Sequence, residues 1–293
     1  VASQSSLAYG GSYLTGFDAA VEDDPFNFRT SMDTPGFISK GSETLGLKTQ
    51  WNIGDFAGLK DFNSVLVLGG SKFHIKQLND LDVSPADIAR LDNFEDHQQF
   101  STELRFAGKA ESLFGLGTGV EFVAGLFNFQ SDYTLLARIN TRRDIGSYAL
   151  TEDARQLLVP AELSALTDLL ATIPSVPGIP GAGAATQLLT DGDAYQFDYT
   201  QRIDSTAFFG QLTWNLTEKI AITPGLRFNQ EKKRVNTAGN AQCVGRNVLP
   251  LPGVPQRPCI IELLLESQDY RFSNLRRKEN DFSPKLAVQY FAD

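Results

Sequence analysis

Two short cationic runs carry the most pointed chemistry in this sequence: Lys232-Lys233-Arg234 and Arg276-Arg277-Lys278. Ammonium and guanidinium groups set this closely suit phosphate or carboxylate, and arginine adds a bidentate fork. A solvated charge run is the plainer reading. Acidic side chains gather in Lys76–Gln98 (Asp80, Asp82, Asp87, Asp92, Glu95, Asp96) and in Thr151–Thr200. Such oxygen ligands can hold divalent cations, although solubility is the simpler role. Asp191-Gly192-Asp193 lacks the rest of a calcium loop and reads as a turn. Cys243 and Cys259 lie far in sequence from His74 and His97, too few ligands for a metal site. A loop-closing disulfide, which implies an oxidising compartment, is the simpler reading; two unpaired thiols are the alternative. No nucleophile elbow, phosphate-binding loop or His-Glu-x-x-His is present, so no enzyme and no cofactor is expected. Gly115-x-Gly117-x-Gly119 is a glycine cluster at a turn rather than a dinucleotide fingerprint.

The balance of 26 basic against 35 acidic residues gives a net charge of −9, which argues against a nucleic-acid partner. An apolar content of 42% excludes a disordered polyelectrolyte. No run approaches the ~18 apolar residues of a membrane helix. The chain opens at Val1 without a charged start and apolar stretch, so no signal peptide is read. It stops at Asp293 directly after a strand-like run, and a fragment is the favoured reading.

The elements that must position these groups are strands. In Ser205–Trp214, Phe208, Gly210, Leu212 and Trp214 share one face, opposite Ala207, Phe209, Gln211 and Thr213. Ile220–Glu231 repeats the pattern, with Ile220, Ile222, Pro224, Leu226 and Phe228 opposite Ala221, Thr223, Gly225, Arg227, Asn229 and Glu231. Asn215–Lys219 joins the two as a hairpin. Ser42–Asn52 turns through Gly54–Gly58 into Leu59–Ile75. Gln99–Ala107 passes through Gly108–Gly117 into Thr118–Leu136, and Asp281–Phe291 supplies a seventh strand. Short connections alternate with long ones: Lys76–Gln98, Ala137–Gln201 and Asn236–Asn280. Outer-membrane barrels have this asymmetry, with short periplasmic turns and long extracellular loops. Strands of ~9 or more residues suffice to cross tilted. Trp51, Trp214 and Tyr290 fall at the short-turn end, where a girdle of aromatics would lie. A soluble β-sandwich, with the apolar face in a core, is the alternative. Ser84–Asp92 and Pro160–Thr172 read as short helical pieces, Pro174–Gly183 as irregular, and Val1–Lys40 as loop in which Leu7–Phe17 could end a strand.

The wording of these strands resembles a known family. "TAFFGQLTWNLTEKIAITPGLRFNQEKK" (Thr206–Lys233) resembles a recurrent hairpin of TonB-dependent outer-membrane receptors. "FSTELRFAG" with "VEFVAGLFNF" resembles the hairpin before it, and "DFSPKLAVQYFAD" the strand after it. The resemblance covers most of Thr44–Asp293. It implies an all-β fold: an antiparallel transmembrane β-barrel segment with long extracellular loops, about seven strands of the ~22 that close around a plug. Residues 1–293 are then expected to be a partial barrel domain, without the N-terminal plug and the closing C-terminal strands. The implied function is uptake of a scarce ligand, by default a ferric siderophore, with cobalamin or an oligosaccharide open. The implied place is the Gram-negative outer membrane. The implied partners are membrane lipid, lipopolysaccharide and the TonB complex, reached through the N-terminal region. A secreted β-sandwich adhesin or carbohydrate-binding module and a passive porin are the alternatives.

On this reading Glu103, Arg105, Gln211, Arg227, Asn229, Glu231 and Lys285 line the lumen, in contact with plug or ligand or simply solvating the wall. The two cationic runs meet above the membrane if their strands pair. Lys233 and Arg277 then face an anionic ligand inside, whereas Lys232, Arg234, Arg276 and Lys278 face lipopolysaccharide phosphates outside.

Overall fold

The computed structural model describes residues 32–82, 87–143, 145, 192–243 and 269–291. The strands are β1 (Phe37–Phe56), β2 (Leu59–Asp80), β3 (Ala89–Ala110), β4 (Gly119–Thr141), β5 (Ala194–Asn215), β6 (Ile220–Gln242) and β7 (Tyr270–Tyr290). All seven form one antiparallel sheet in chain order. Among the described residues β1 pairs only with β2 and β7 only with β6, so the all-β segment has two open edges and does not close on itself.

Several expected boundaries need correction. The Gly54–Gly58 stretch is not all turn: β1 continues through Phe56 past a register shift at Gly54, and only Ala57 and Gly58 turn the chain. Their φ values of 53° and 85° suit the two-residue hairpin whose twist matches the strands. The stretches Lys76–Gln98, Ala137–Gln201 and Asn236–Asn280 are not loops throughout. β2 runs to Asp80 and β3 starts at Ala89, β4 ends at Thr141 and β5 starts at Ala194, β6 ends at Gln242 and β7 starts at Tyr270. Likewise β1 begins at Phe37, inside the expected N-terminal loop, and β3 reaches Ala110. Of the expected Ser84–Asp92 helical turn, Ala89–Asp92 is strand and 83–86 lies outside the described residues. Leu7–Phe17, Pro160–Thr172 and Pro174–Gly183 also lie outside them.

The physical reason for these lengths is a change of phase along each strand. The strands hold 20 to 23 residues, about twice the ~9–11 needed to cross a bilayer tilted. In the lower half one face, here the first face, is apolar from strand to strand: Leu66, Leu104, Leu126, Phe208, Phe228 and Phe282 form a single cross-strand row. Further up, the same face carries the row Lys72, Gln98, Asp132, Arg202, Arg234 and Arg276. The second face is mixed in the lower half, with Glu103 and Arg105 on β3 but Val65 and Val67 on β2 and Val123 and Phe127 on β4, and above the charged row Phe73, His97 and Tyr133 stand side by side on it. Within β2 alone the first face passes from Leu66 and Leu68 to Lys72, His74 and Lys76, while Phe73 and Ile75 take the second. A strand packed on one soluble core keeps one apolar phase along its length. A wall that leaves lipid for water reverses it, because water requires the polar side chains outside.

The apolar stretch on β6, Ile220 to Phe228, has the length of one crossing. The boundary falls below Glu43 on β1 but near Lys278 on β7, a drift across the rows that tilted strands require. At the far end a small buried cluster joins the ends of β4, β5 and β6. Tyr195 packs on Ile139, Ala241 and Cys243, and the fully buried Asp193 offers its carbonyl to the Thr141 N–H at 2.8 Å.

Candidate functional site

The second face of the lower half is a polar wall interrupted by aromatic rings, and the residues expected to line a lumen share it. Arg105 and Glu103, two apart on β3, form an ion pair at 2.8 Å. Ser205 Oγ donates to Asn229 Oδ1 at 3.0 Å. Lys285 Nζ donates to Gln211 Oε1 at 2.9 Å although β6 runs between their strands. Gly225 lies between them on β6, and a Cβ there would meet the Cβ of each at 3.5–3.6 Å, in ordinary contact. Arg227 lies over the Phe127 ring, 5.9 Å from its centroid, a cation–π contact.

The cationic runs meet as their strands pair. Lys232 faces Lys278, Lys233 faces Arg277 and Arg234 faces Arg276. The two faces then differ in one respect. On the second face Lys233 is paired with Glu231 at 2.8 Å and Arg277 with Glu279, and Glu231 sits directly across from Glu279. Those four charges compensate one another. On the first face Lys232, Arg234, Arg276 and Lys278 have no carboxylate in ion-pair range among the described residues. Like charges directly opposite destabilise a sheet, so this quartet has a cost that an external anion would relieve. Arg276 is held by Asn274, whose Oδ1 accepts from Nε at 2.7 Å. Asn274 itself has φ 58° at a bulge and donates its N–H to Asn236 Oδ1 at 2.7 Å.

A further group was not anticipated from sequence. Phe73, His97, Tyr133 and Tyr199 run across β2 to β5 on the second face above the charged row. Centroid separations are 4.9, 6.3 and 6.1 Å. Tyr133 donates to Glu95 at 2.9 Å, and His97 Nε2 shares a 2.9 Å hydrogen bond with Ser131 Oγ. The signal that could have found them is the reversed alternation, in which aromatics fall between charged neighbours.

Trp51, Trp214 and Tyr290 all lie on the first face at the short-turn end. Phe56, Phe62, Phe106 and Phe122 join them there, with Phe62 and Phe106 stacked at 6.2 Å. Beside this band Lys60 donates to Glu111 at 2.7 Å and holds its carboxyl below the usual range. At the opposite end the carboxylates of Asp33, Asp80 and Asp82 gather within 4.8 Å, and burial pushes the Asp33 carboxyl up. Asp80 and Asp82 accept the N–H groups of Asp82 and Ala89, at 3.2 and 2.9 Å, and so close the β2–β3 loop. Asp92, Glu95 and Asp96, expected in that loop, are on β3. Gly192, with φ 87°, makes a turn before Asp193. Cys243 is disulfide-bonded; Cys259 lies outside the described residues.

Among known families, residues 3–293 match the one described as TonB dependent receptor-like, β-barrel. No curated protein matches the sequence.

Proposed function

Because the chain belongs to the TonB-dependent receptor β-barrel family, whose members are transporters of the Gram-negative outer membrane, we propose that residues 1–293 are wall and loops of a receptor that takes up a ferric siderophore. The single observation that best supports the membrane placement is the passage of the first face from apolar to charged along the strands. A sandwich adhesin would keep one buried face throughout. The family match weighs against a passive porin. Short turns of such barrels lie in the periplasm, so the charged row and the aromatic ladder belong to the extracellular half.

Within the lumen, Glu103, Arg105, Gln211, Arg227, Asn229, Glu231, Lys233, Arg277 and Lys285 serve mainly to hold the wall, because each is already engaged by a side chain of the wall itself. The Phe73–His97–Tyr133–Tyr199 ladder above them offers stacking surface to a ligand with rings or planar groups. Uptake of labelled iron presented as ferric siderophores, in cells with the full-length receptor, is expected to require an intact TonB complex. Uptake of cobalamin or an oligosaccharide in place of iron would replace the ligand assignment, and TonB-independent uptake would overturn the gated mechanism.

On the outside, Lys232, Arg234, Arg276 and Lys278 are suited to lipopolysaccharide phosphates. Replacing all four by Gln is expected to strip most of the lipopolysaccharide that copurifies with the full-length receptor. The pair Lys233→Gln and Arg277→Gln is expected to leave it in place. Equal retention in both variants would reduce the quartet to a solvated charge run. Cys243 is proposed to pair with Cys259, closing the loop after β6.

A further inference from the structure

We propose that the β3–β4 turn is a lipid anchor: Phe114, flanked by Leu113 and Leu116, enters the headgroup–acyl boundary of the periplasmic leaflet. The inference rests on the membrane placement above and adds a contact that placement does not require.

Leu113 and Leu116 exchange backbone hydrogen bonds of 3.0 and 2.9 Å, so only Phe114 and Gly115 turn the chain. Their φ values, 53° and 78°, are both left-handed. Asn, Asp or Gly suit the first of these positions, and a bulky ring there is an outlier. Phe114 is nevertheless 95% exposed, and Leu116 61%. An aromatic that is both strained and uncovered gains nothing from the fold around it, and such outliers point towards function.

The direction of the turn identifies what covers it. Trp214, on the first face, donates its Nε1–H to the Leu116 carbonyl at 3.2 Å. Gly117, with φ 83°, lets the chain pass the indole, because a Cβ there would collide with Trp214 Nε1. The turn therefore leans over the face that carries Phe62, Phe106 and Phe122, and its tip extends that aromatic band. Aromatic and aliphatic side chains at the edge of such a band partition into the interface. The neighbouring β5–β6 turn is exposed too, but beside Leu216 (36% exposed) it carries Thr217, Glu218 and Lys219 and no aromatic residue.

The test places an environment-sensitive fluorophore on Phe114→Cys in the full-length receptor. The receptor is held in phosphatidylethanolamine–phosphatidylglycerol vesicles containing lipid spin-labelled near the headgroup. Emission is expected to shift to the blue and to be quenched severalfold by the labelled lipid but little by aqueous iodide. A probe at Glu218→Cys should do the reverse. Iodide quenching at Phe114 equal to that at Glu218 would overturn the proposal. Blue-shifted emission untouched by labelled lipid would also overturn it, since protein would then be the cover. A third probe, at Leu226→Cys, reports on the placement itself. If lipid labelled deep in the chain fails to quench that site, the membrane reading falls and the anchor with it.

Discussion

Arginine at Leu226 is expected to cost the receptor about 2–4 kcal/mol in lipid, whereas arginine at Thr134 should cost about 0–1 kcal/mol. Both residues lie on the first face and both are exposed in the isolated sheet. They differ in height. Leu226 is central in the apolar stretch of β6, beside Phe208 and Phe228 in a shallow depression lined by apolar side chains. Thr134 pairs with Asp96 and Thr200, above the charged row. A guanidinium at mid-bilayer must carry its hydration with it or lose it, whereas the same group at Thr134 stays in water. Reversible urea unfolding of the full-length receptor in vesicles measures the difference. Equal costs at the two positions would mean that no lipid boundary crosses the sheet between them.

Gly125→Val is the second large effect, expected to destabilise by about 1–3 kcal/mol. A Cβ at Gly125 would sit 2.5 Å from Phe209 Cζ and 2.8 Å from the Leu104 carbonyl oxygen. The Phe209 ring can swing away, but the carbonyl belongs to β3, which pairs with β4 along its whole length. Phe209→Ala in the same molecule should therefore recover only part of the loss. Gly46→Val is the comparison: a Cβ there meets nothing within 4 Å, and the change should stay within about 0.5 kcal/mol. Urea midpoints of the three variants and the parent provide the measurement. Full rescue by Phe209→Ala would show that the ring alone, and not the close approach of backbones, makes glycine necessary.

Both predictions depend on knowing which side chains share a face, and that much was legible in the sequence. The alternation in Ser205–Trp214 and Ile220–Glu231 assigns Leu226, Phe228, Arg227 and Asn229 to the faces they occupy. The cationic runs, far apart in the chain, meet in the register that β6–β7 pairing predicts. The extent of the strands was harder to read. Above the charged row the first face loses its apolar run, and on β2 the apolar residues Phe73 and Ile75 fall on the second face. In Lys72–Asp80 and Asp92–Gln99, polar side chains then outnumber apolar ones, and the segments resemble loops. The local pairing of Lys233 with Glu231 and of Arg277 with Glu279 also escapes sequence reading. Alternation places Glu231 on the inner face, but which inner cations it neutralises depends on the register. Phe114 was hidden for another reason: a glycine-rich turn gives no hint that its one aromatic residue holds a left-handed φ at the tip.

The first face changes solvent partway up each strand, and β2 allows this to be tested within a single element. Cysteines placed one at a time from Val65 to Ile75 in the full-length receptor would carry a fluorophore, read against lipid-borne and aqueous quenchers in vesicles. Lipid quenching is expected at Leu66 and Leu68, aqueous quenching in its place at Lys72 and His74, and no lipid quenching at Val65, Val67 or Phe73. Lipid quenching that continued through His74, or Leu66 and Leu68 shielded from both quenchers as in a dry core, would contradict it.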